Sequence, residues 1–185
     1  MITKRFGISP LPYPHSFTLW MVLIWLYTCG IQPAMSAQEM PIPLRIQAAT
    51  FSKMFKYDNS LQGKNPIRVL IVFDDKTKTV KKELESAFRS SSIETSAVTS
   101  EMLEQTILNS DVVYFMPGME DQAHLCKKYK KLSIAGIATY AVKGDVSITV
   151  GLENNYPRLM VNMTSLISEG HDLSAGLMKF VKLLK

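Results

Sequence analysis

The chain has 185 residues, with 21 Lys plus Arg against 16 Asp plus Glu and a formal net charge of +5. Apolar residues make up 46% and charged residues 20%, the balance of a chain that folds around a core and not of a disordered one. Nine Gly, nine Pro and two Cys exclude a collagen-like repeat and a disulfide-stapled miniature.

Residues 1–37 carry no acidic side chain. Lys4 and Arg5 precede an apolar run from Phe17 to Ile31, and Pro33-Ala34-Met35-Ser36-Ala37 follows. Basic, apolar and small-residue regions in that order form the pattern of a secretory signal peptide, with cleavage after Ala37 or after Ser36. The apolar run is shorter than the ~20 residues of a spanning helix. An uncleaved anchor and a lipoprotein signal ending at Cys29 are the alternatives. Export predicts a periplasmic location. Removing residues 1–37 lowers the net charge to about +3 and leaves about 148 residues, the length of one domain. So small a charge argues against nucleic acid as a partner. Cys126 is then the single cysteine, and no internal disulfide can form.

Residues 38–43 read as a short tether, and the domain is expected over 44–185. Leu44, Ala48, Phe51 and Phe55 recur at helical spacing, with Pro43 suited to the helix start. Ile67 to Phe73 is a continuous, β-branched run, as in a strand buried on both faces. Val80, Leu84, Ala87 and Phe88 mark the next helix, Ile93 to Val98 a second strand, and Leu103 and Ile107 a helix started by Ser100. Val112 to Met116 is a third strand, stopped by Pro117-Gly118. Leu125 and Tyr129 mark a helix, and Ile134 to Tyr140 a fourth strand. Strands alternating with helices predict a parallel sheet built from right-handed crossovers. Val146, Ile148, Val150 and Leu152, then Leu159, Val161 and Met163, alternate around a turn at 153–157 and predict an antiparallel hairpin. A short helix over Ser165–Glu169 follows. A last helix is capped by Asp172 and buries Leu173, Leu177, Phe180, Val181 and Leu184. The expected fold is an α/β three-layer sandwich, its sheet mostly parallel with an antiparallel C-terminal hairpin.

No catalytic constellation emerges. There is no Gly-x-Ser-x-Gly elbow and no Gly-rich loop with Lys-Ser or Lys-Thr after the first strand. Asp74-Asp75 suits a phosphoacceptor site, but that chemistry needs a third Asp where Phe115 and Met116 stand. His124 and Cys126 are too few to hold a metal. No cofactor is expected. Lys127, Lys128, Lys130 and Lys131 form a basic run whose two readings are a solvated helix end and a contact for anionic headgroups or an acidic partner. Glu153, Arg158 and Asn162 share the polar side of the hairpin and form the candidate partner surface. Asn162 has a second reading, as a side chain that hydrogen-bonds the turn after it. Small ligands in open α/β sheets favour the carboxyl ends of the strands, where Asp74, Asp75, Pro117, Gly118 and Tyr140 are expected to form a rim.

The segment Gly151-Leu152-Glu153-Asn154-Asn155-Tyr156-Pro157-Arg158-Leu159-Met160-Val161-Asn162-Met163, followed by Leu177-Met178-Lys179-Phe180, resembles the C-terminal signature of the YfiR-like family. Arg45, Ala48, Ala49, Phe51 and Phe55 are similar to the helix that opens that family's domain. The resemblance implies an exported, non-enzymatic regulatory protein that binds a membrane-bound signalling protein, such as a diguanylate cyclase or sensor kinase, through that partner's periplasmic domain. It also implies a possible homodimer. The family's archetype carries two disulfides, whereas Cys126 here is alone. The alternative function is a periplasmic small-ligand-binding protein related to solute-binding proteins, acting with a single lobe.

Overall fold

In the computed structural model, residues 40–91 and 93–184 are described. The expected signal peptide, its cleavage sites and Cys29 lie outside the described residues. No described helix is long and apolar enough to cross a membrane.

Strand β1 (Arg68–Phe73) carries the logic of the sheet. Val69 and Ile71 enter one core while Leu70 and Val72 enter the other, all at most 2% exposed. A strand apolar on both faces needs helices on both. On one side lie α1 (Leu44–Phe55) and α2 (Lys78–Arg89), which contribute Phe51, Phe55, Leu84 and Phe88. On the other lie α3 (Leu103–Thr106), α4 (His124–Tyr129) and α5 (Ala138–Lys143), which contribute Leu103, Cys126, Tyr140 and Ala141. The remaining strands are β2 (Glu94–Thr99), β3 (Val112–Phe115), β4 (Leu132–Ala135), β5 (Ile148–Glu153), β6 (Tyr156–Asn162) and β7 (Lys182–Leu184). Two short helices, α6 (Met163–Ser168) and α7 (Ala175–Met178), join β6 to β7.

Among the described residues, seven strands form one sheet in the order β2-β1-β3-β4-β5-β6-β7. Pairing is parallel except between β5 and β6. The expected three-layer α/β fold, mostly parallel with an antiparallel hairpin, is therefore the observed one. Asn154 and Asn155 take φ of 51° and 64°, the left-handed pair that a two-residue hairpin turn requires.

Two elements differ from the expectation. The fourth strand ends at Ala135, and Tyr140 lies on α5. Gly136 follows the strand, and the Gln47 amide occupies the space a side chain there would need: a Cβ would lie 2.2 Å from Gln47 Oε1. The last helix stops at Met178, and the chain continues as β7 beside β6. Leu173, Leu177 and Val181 are buried as their spacing implies, but Phe180 is 73% exposed. Gly176 weakens the helix, and pairing with Met160–Asn162 satisfies backbone groups that β6 would otherwise leave open.

Tyr114 of β3, fully buried, ties α1 to the sheet. Its ring meets Phe51 and Phe88 edge-on at 6.1 and 6.2 Å. Its hydroxyl donates to Gln47 Oε1 at 2.7 Å, and Gln47 Nε2 donates to the Ile42 carbonyl at 2.7 Å. Gly136→Ala is expected to displace Gln47 and cost about 2 kcal/mol in urea unfolding. Tyr114→Phe acts on the same amide, so the double variant is expected to lose less than the sum of the two single losses.

Candidate functional site

The hairpin and the tail enclose an open groove of about 670 Å³. Its lining includes Thr50 of α1, Glu153, Tyr156 and Arg158 of the hairpin, and Lys179 and Phe180 from the segment before β7. Tyr156 is 75% exposed and Phe180 73%, a large apolar surface for residues that normally seek cover. Glu153 forms ion pairs with Arg158 Nη1 at 3.1 Å and with Lys182 Nζ at 3.0 Å. The hydrogen bond from Lys182, with the charges of Lys182 and Arg158, holds its carboxyl below the usual range.

Glu153 and Arg158 therefore meet on the hairpin as its sequence suggested. Asn162 does not join them. It is 4% exposed and caps α6: its Oδ1 accepts from the Ser165 N–H at 3.0 Å, and its Nδ2 donates to the Ala141 carbonyl at 3.0 Å. Strand alternation does put Arg158, Met160 and Asn162 on one side, but that side passes under α5 after Arg158. Met160 packs beside Ala138 at Gly151, and only Arg158 stays outside. The partner surface so far as Asn162 belonged to it is corrected to an internal cap.

The carboxyl ends of the strands form a second candidate region. Strand order reverses direction between β1 and β3, the position where doubly wound sheets open a crevice. Asp74 turns inward on its own loop, where its Oδ1 accepts from the Thr77 N–H at 2.9 Å and from Thr77 Oγ1 at 2.7 Å. The Gly118 N–H donates to the Tyr140 hydroxyl at 3.0 Å, so these two rim residues do come together, with Tyr140 reaching from α5 and not from a strand end. Met40 and Met119 each pack against both cores, closing this end of the sheet. Asp75 extends beside Asp74 on the same loop.

The basic run has an internal role that its sequence did not show. Lys127 donates to the Gly144 carbonyl at the end of α5, and Lys130 to the Ser168 carbonyl at the end of α6. Lys131 reaches the Leu108 carbonyl within the 3₁₀ turn Ile107–Asn109 and the Ser110 carbonyl just after it. Lys128 pairs with Glu104 at 2.6 Å. Three helical segments thus end on lysines that satisfy their last carbonyls. His124 is exposed and Cys126 is buried, so the two do not share a site. Among the described residues, no group of three or more His, Cys, Asp or Glu could hold a metal.

Beneath the amino ends of the strands lies a buried acid that sequence reasoning missed. Glu169 is fully buried. It accepts from the Ser133 N–H at 2.9 Å, from Ser133 Oγ at 2.5 Å and from Ser147 Oγ at 2.5 Å, and the Ser147 N–H donates to Ser133 Oγ at 2.8 Å. Nearby, His171 Nδ1 lies 2.7 Å from Asp58 Oδ2 with both side chains buried. The only hint in the sequence was an acid placed directly before the helix-ending Gly170.

No family model matches the chain, and no curated protein matches its sequence. The fold is similar to that of a conserved domain protein from Vibrio cholerae O1 biovar El Tor, at 12% identity and a TM-score of 0.60. It is also similar to an ABC domain in complex with L-Trp from Streptococcus pneumonia, at 11% identity and a TM-score of 0.56. Each match covers 77% of this chain and 60% of the other, so this chain spans less than two thirds of the length of either structure. At such identities the likeness is one of fold.

Glu169 sets a pH dependence. Burial pushes its carboxyl up to about 7, against the hydrogen bonds from Ser133 and Ser147 and the His171 charge that pull it down. A carboxyl raised in the folded state is more protonated there than in the unfolded chain, so stability falls as pH rises from about 4.5 to about 7 and is level above. The expected loss over that interval is on the order of 3 kcal/mol. Urea unfolding at a series of pH values should show this slope in the native protein and its disappearance in Glu169→Gln.

Proposed function

We propose that this chain is an exported regulatory protein of the YfiR-like kind. It binds the external domain of a membrane signalling protein, such as a diguanylate cyclase or a sensor kinase, and catalyses no reaction. The observation that carries this reading is the groove between hairpin and tail. Two aromatic side chains stand about three-quarters exposed there beside a cluster of charges. Buried aromatic anchors surrounded by polar groups are what dominate the energetics of protein interfaces. The apolar segment at 17–31 with its small-residue exit supports export.

Regulation follows from differential affinity. A protein that binds one conformation of its partner more tightly than the other shifts the partner's equilibrium by that difference and needs no chemistry of its own. A hairpin with a rigid two-residue turn suits this task, since little conformational entropy is lost when it docks.

A second reading, binding of a small ligand, is favoured by the strand reversal between β1 and β3 and by the L-Trp complex of the similar Streptococcus domain. The packing of Met40 and Met119 across that end weighs against it. A thermal scan with L-Trp separates the two: a rise in Tm favours the ligand reading, and an unchanged Tm favours the regulatory one.

The regulatory reading is tested by capture of the purified external domain of a membrane signalling protein encoded beside this chain. The native protein is expected to retain it. Tyr156→Ala and Phe180→Ala are each expected to weaken capture about tenfold or more, with unchanged unfolding midpoints because both side chains lie outside the core. Equal capture by all three proteins, or none by the native protein, contradicts the proposal.

A further inference from the structure

Cations outnumber acids around the groove. Arg158 and Lys179 line it with a single carboxylate, Glu153, and Lys182 reaches that carboxylate from β7, so that Arg158 and Lys182 share it. Lys179 lines the groove, is exposed, and has no ion-pair partner among the described residues. This differs from the basic run at 127–131, where every lysine is engaged with a helix-end carbonyl or with Glu104. Other exposed cations, among them Lys76, Lys78 and Lys82, are not part of its lining; at the groove a lysine without an ion pair stands beside two exposed aromatic rings.

The shape narrows the occupant. A lipid surface is broad, and proteins meet it with protruding apolar residues or an amphipathic helix face. Here Tyr156 and Phe180 belong to the wall of a concavity, together with Thr50 and Leu159. A concavity of this size accepts one protruding segment of a protein. Its apolar wall and surplus of cations complement a segment that carries carboxylates beside an aromatic or aliphatic side chain.

We infer that the groove recognises an acidic segment of a partner protein, with carboxylates on Lys179, Lys182 and Arg158 and an apolar side chain against Tyr156 and Phe180. The inference rests on the reading of this groove as the partner surface and adds the chemistry of what enters it. Glu153 alone cannot neutralise both Lys182 and Arg158, and Lys179 has no ion pair among the described residues. An incoming carboxylate therefore adds an ion pair without having to break one. Exposed ion pairs are individually weak and screened by salt, so the charges select the segment and the aromatic wall holds it.

The test is selection of random peptides displayed on phage, carried out with the native protein and with Lys179→Glu/Lys182→Glu. Thermal unfolding of both establishes that they are folded, as expected for two exposed lysines. The native protein should enrich peptides with Asp or Glu next to aromatic or aliphatic residues, and their capture should fall as salt is raised. The double variant should lose those peptides about tenfold or more or select basic ones in their place. Enrichment of the same acidic peptides by the variant overturns the inference, as does a native selection with no acidic bias or no enrichment at all. Lysine-dependent sedimentation with phosphatidylglycerol vesicles also overturns it, by showing that the patch meets lipid. Capture of the signalling domain, measured with the same variant, separates the two proposals: undiminished capture leaves the regulatory reading standing and removes the acidic segment.

Discussion

Glu169 is a carboxylate with no exposed surface, and the C-terminal third of the molecule is arranged around keeping it there. An isolated buried carboxylate is expensive, and only a full set of donors makes the position tenable. Ser133 lies on β4, and Ser147 directly precedes β5. Their hydroxyls and the Ser133 amide converge on the acid from the end of α6. That contact fixes where α6 ends and so where the following loop begins. The loop is held again by His171 against Asp58, by the Asn59 amide on the Asp172 carbonyl, and by the Ser174 amide on the Tyr57 carbonyl. Only with the loop anchored can α7 and β7 lie alongside β6 and bring Lys179 and Phe180 to the hairpin. The groove on the surface therefore depends on a buried acid at the other end of the strands.

The two ends of the sheet are closed by different means. Beneath the amino ends the closures are polar or ionic: Glu169 hydrogen-bonded to its serines, Asp111 paired with Lys64 and Arg68, and the lysines that take up helix-end carbonyls. At the carboxyl ends they are apolar or neutral: Met40, Met119, the Gln47 amide and the pairing of Gly118 with Tyr140. Single apolar residues such as Leu108, Val142 and Ile167 reach solvent elsewhere, but at the corner of hairpin and tail two aromatic rings, Tyr156 and Phe180, do so together in one groove beside charged side chains. That asymmetry is the physical reason for reading the hairpin corner, and not the rim around Asp74 and Asp75, as the functional surface.

Much of this fold was legible because burial on both faces leaves a plain mark. Val69 to Phe73 and Val112 to Met116 are apolar without interruption, and each belongs to an interior strand of the sheet. The hairpin was legible from alternation and from the paired Asn at its turn. The tail was not. Leu173, Leu177 and Val181 have helical spacing and are buried, yet the chain changes from helix to strand between them, because the open edge of β6 is a tertiary demand that local spacing does not carry. Tyr140 was misplaced for a similar reason: the apolar run from Ile134 does not show that the strand ends at Ala135 and that Gly136 makes room for the Gln47 amide of a helix nearly ninety positions earlier. At the site, Glu153 and Arg158 were legible as polar residues on the hairpin. Lys179 and Phe180 were hidden by the expectation of a continuous helix. Asn162 shared the right side of its strand but lay two alternations beyond Arg158, where α5 covers that side. Glu169 and the helix-capping lysines read as ordinary surface charges, since nothing in sequence distinguishes an acid awaiting two serines from one awaiting water.

The central claim is that the corner formed by the hairpin and tail is where this protein meets its signalling partner. Amide hydrogen exchange of the protein, with and without the partner's external domain, tests it most directly. The account predicts slowed exchange confined to residues 153–159 and 179–184 on addition of the partner, with the loops at 74–77 and 116–119 unchanged. Protection of those loops with the hairpin unaffected would contradict it and move the function to the carboxyl end of the sheet.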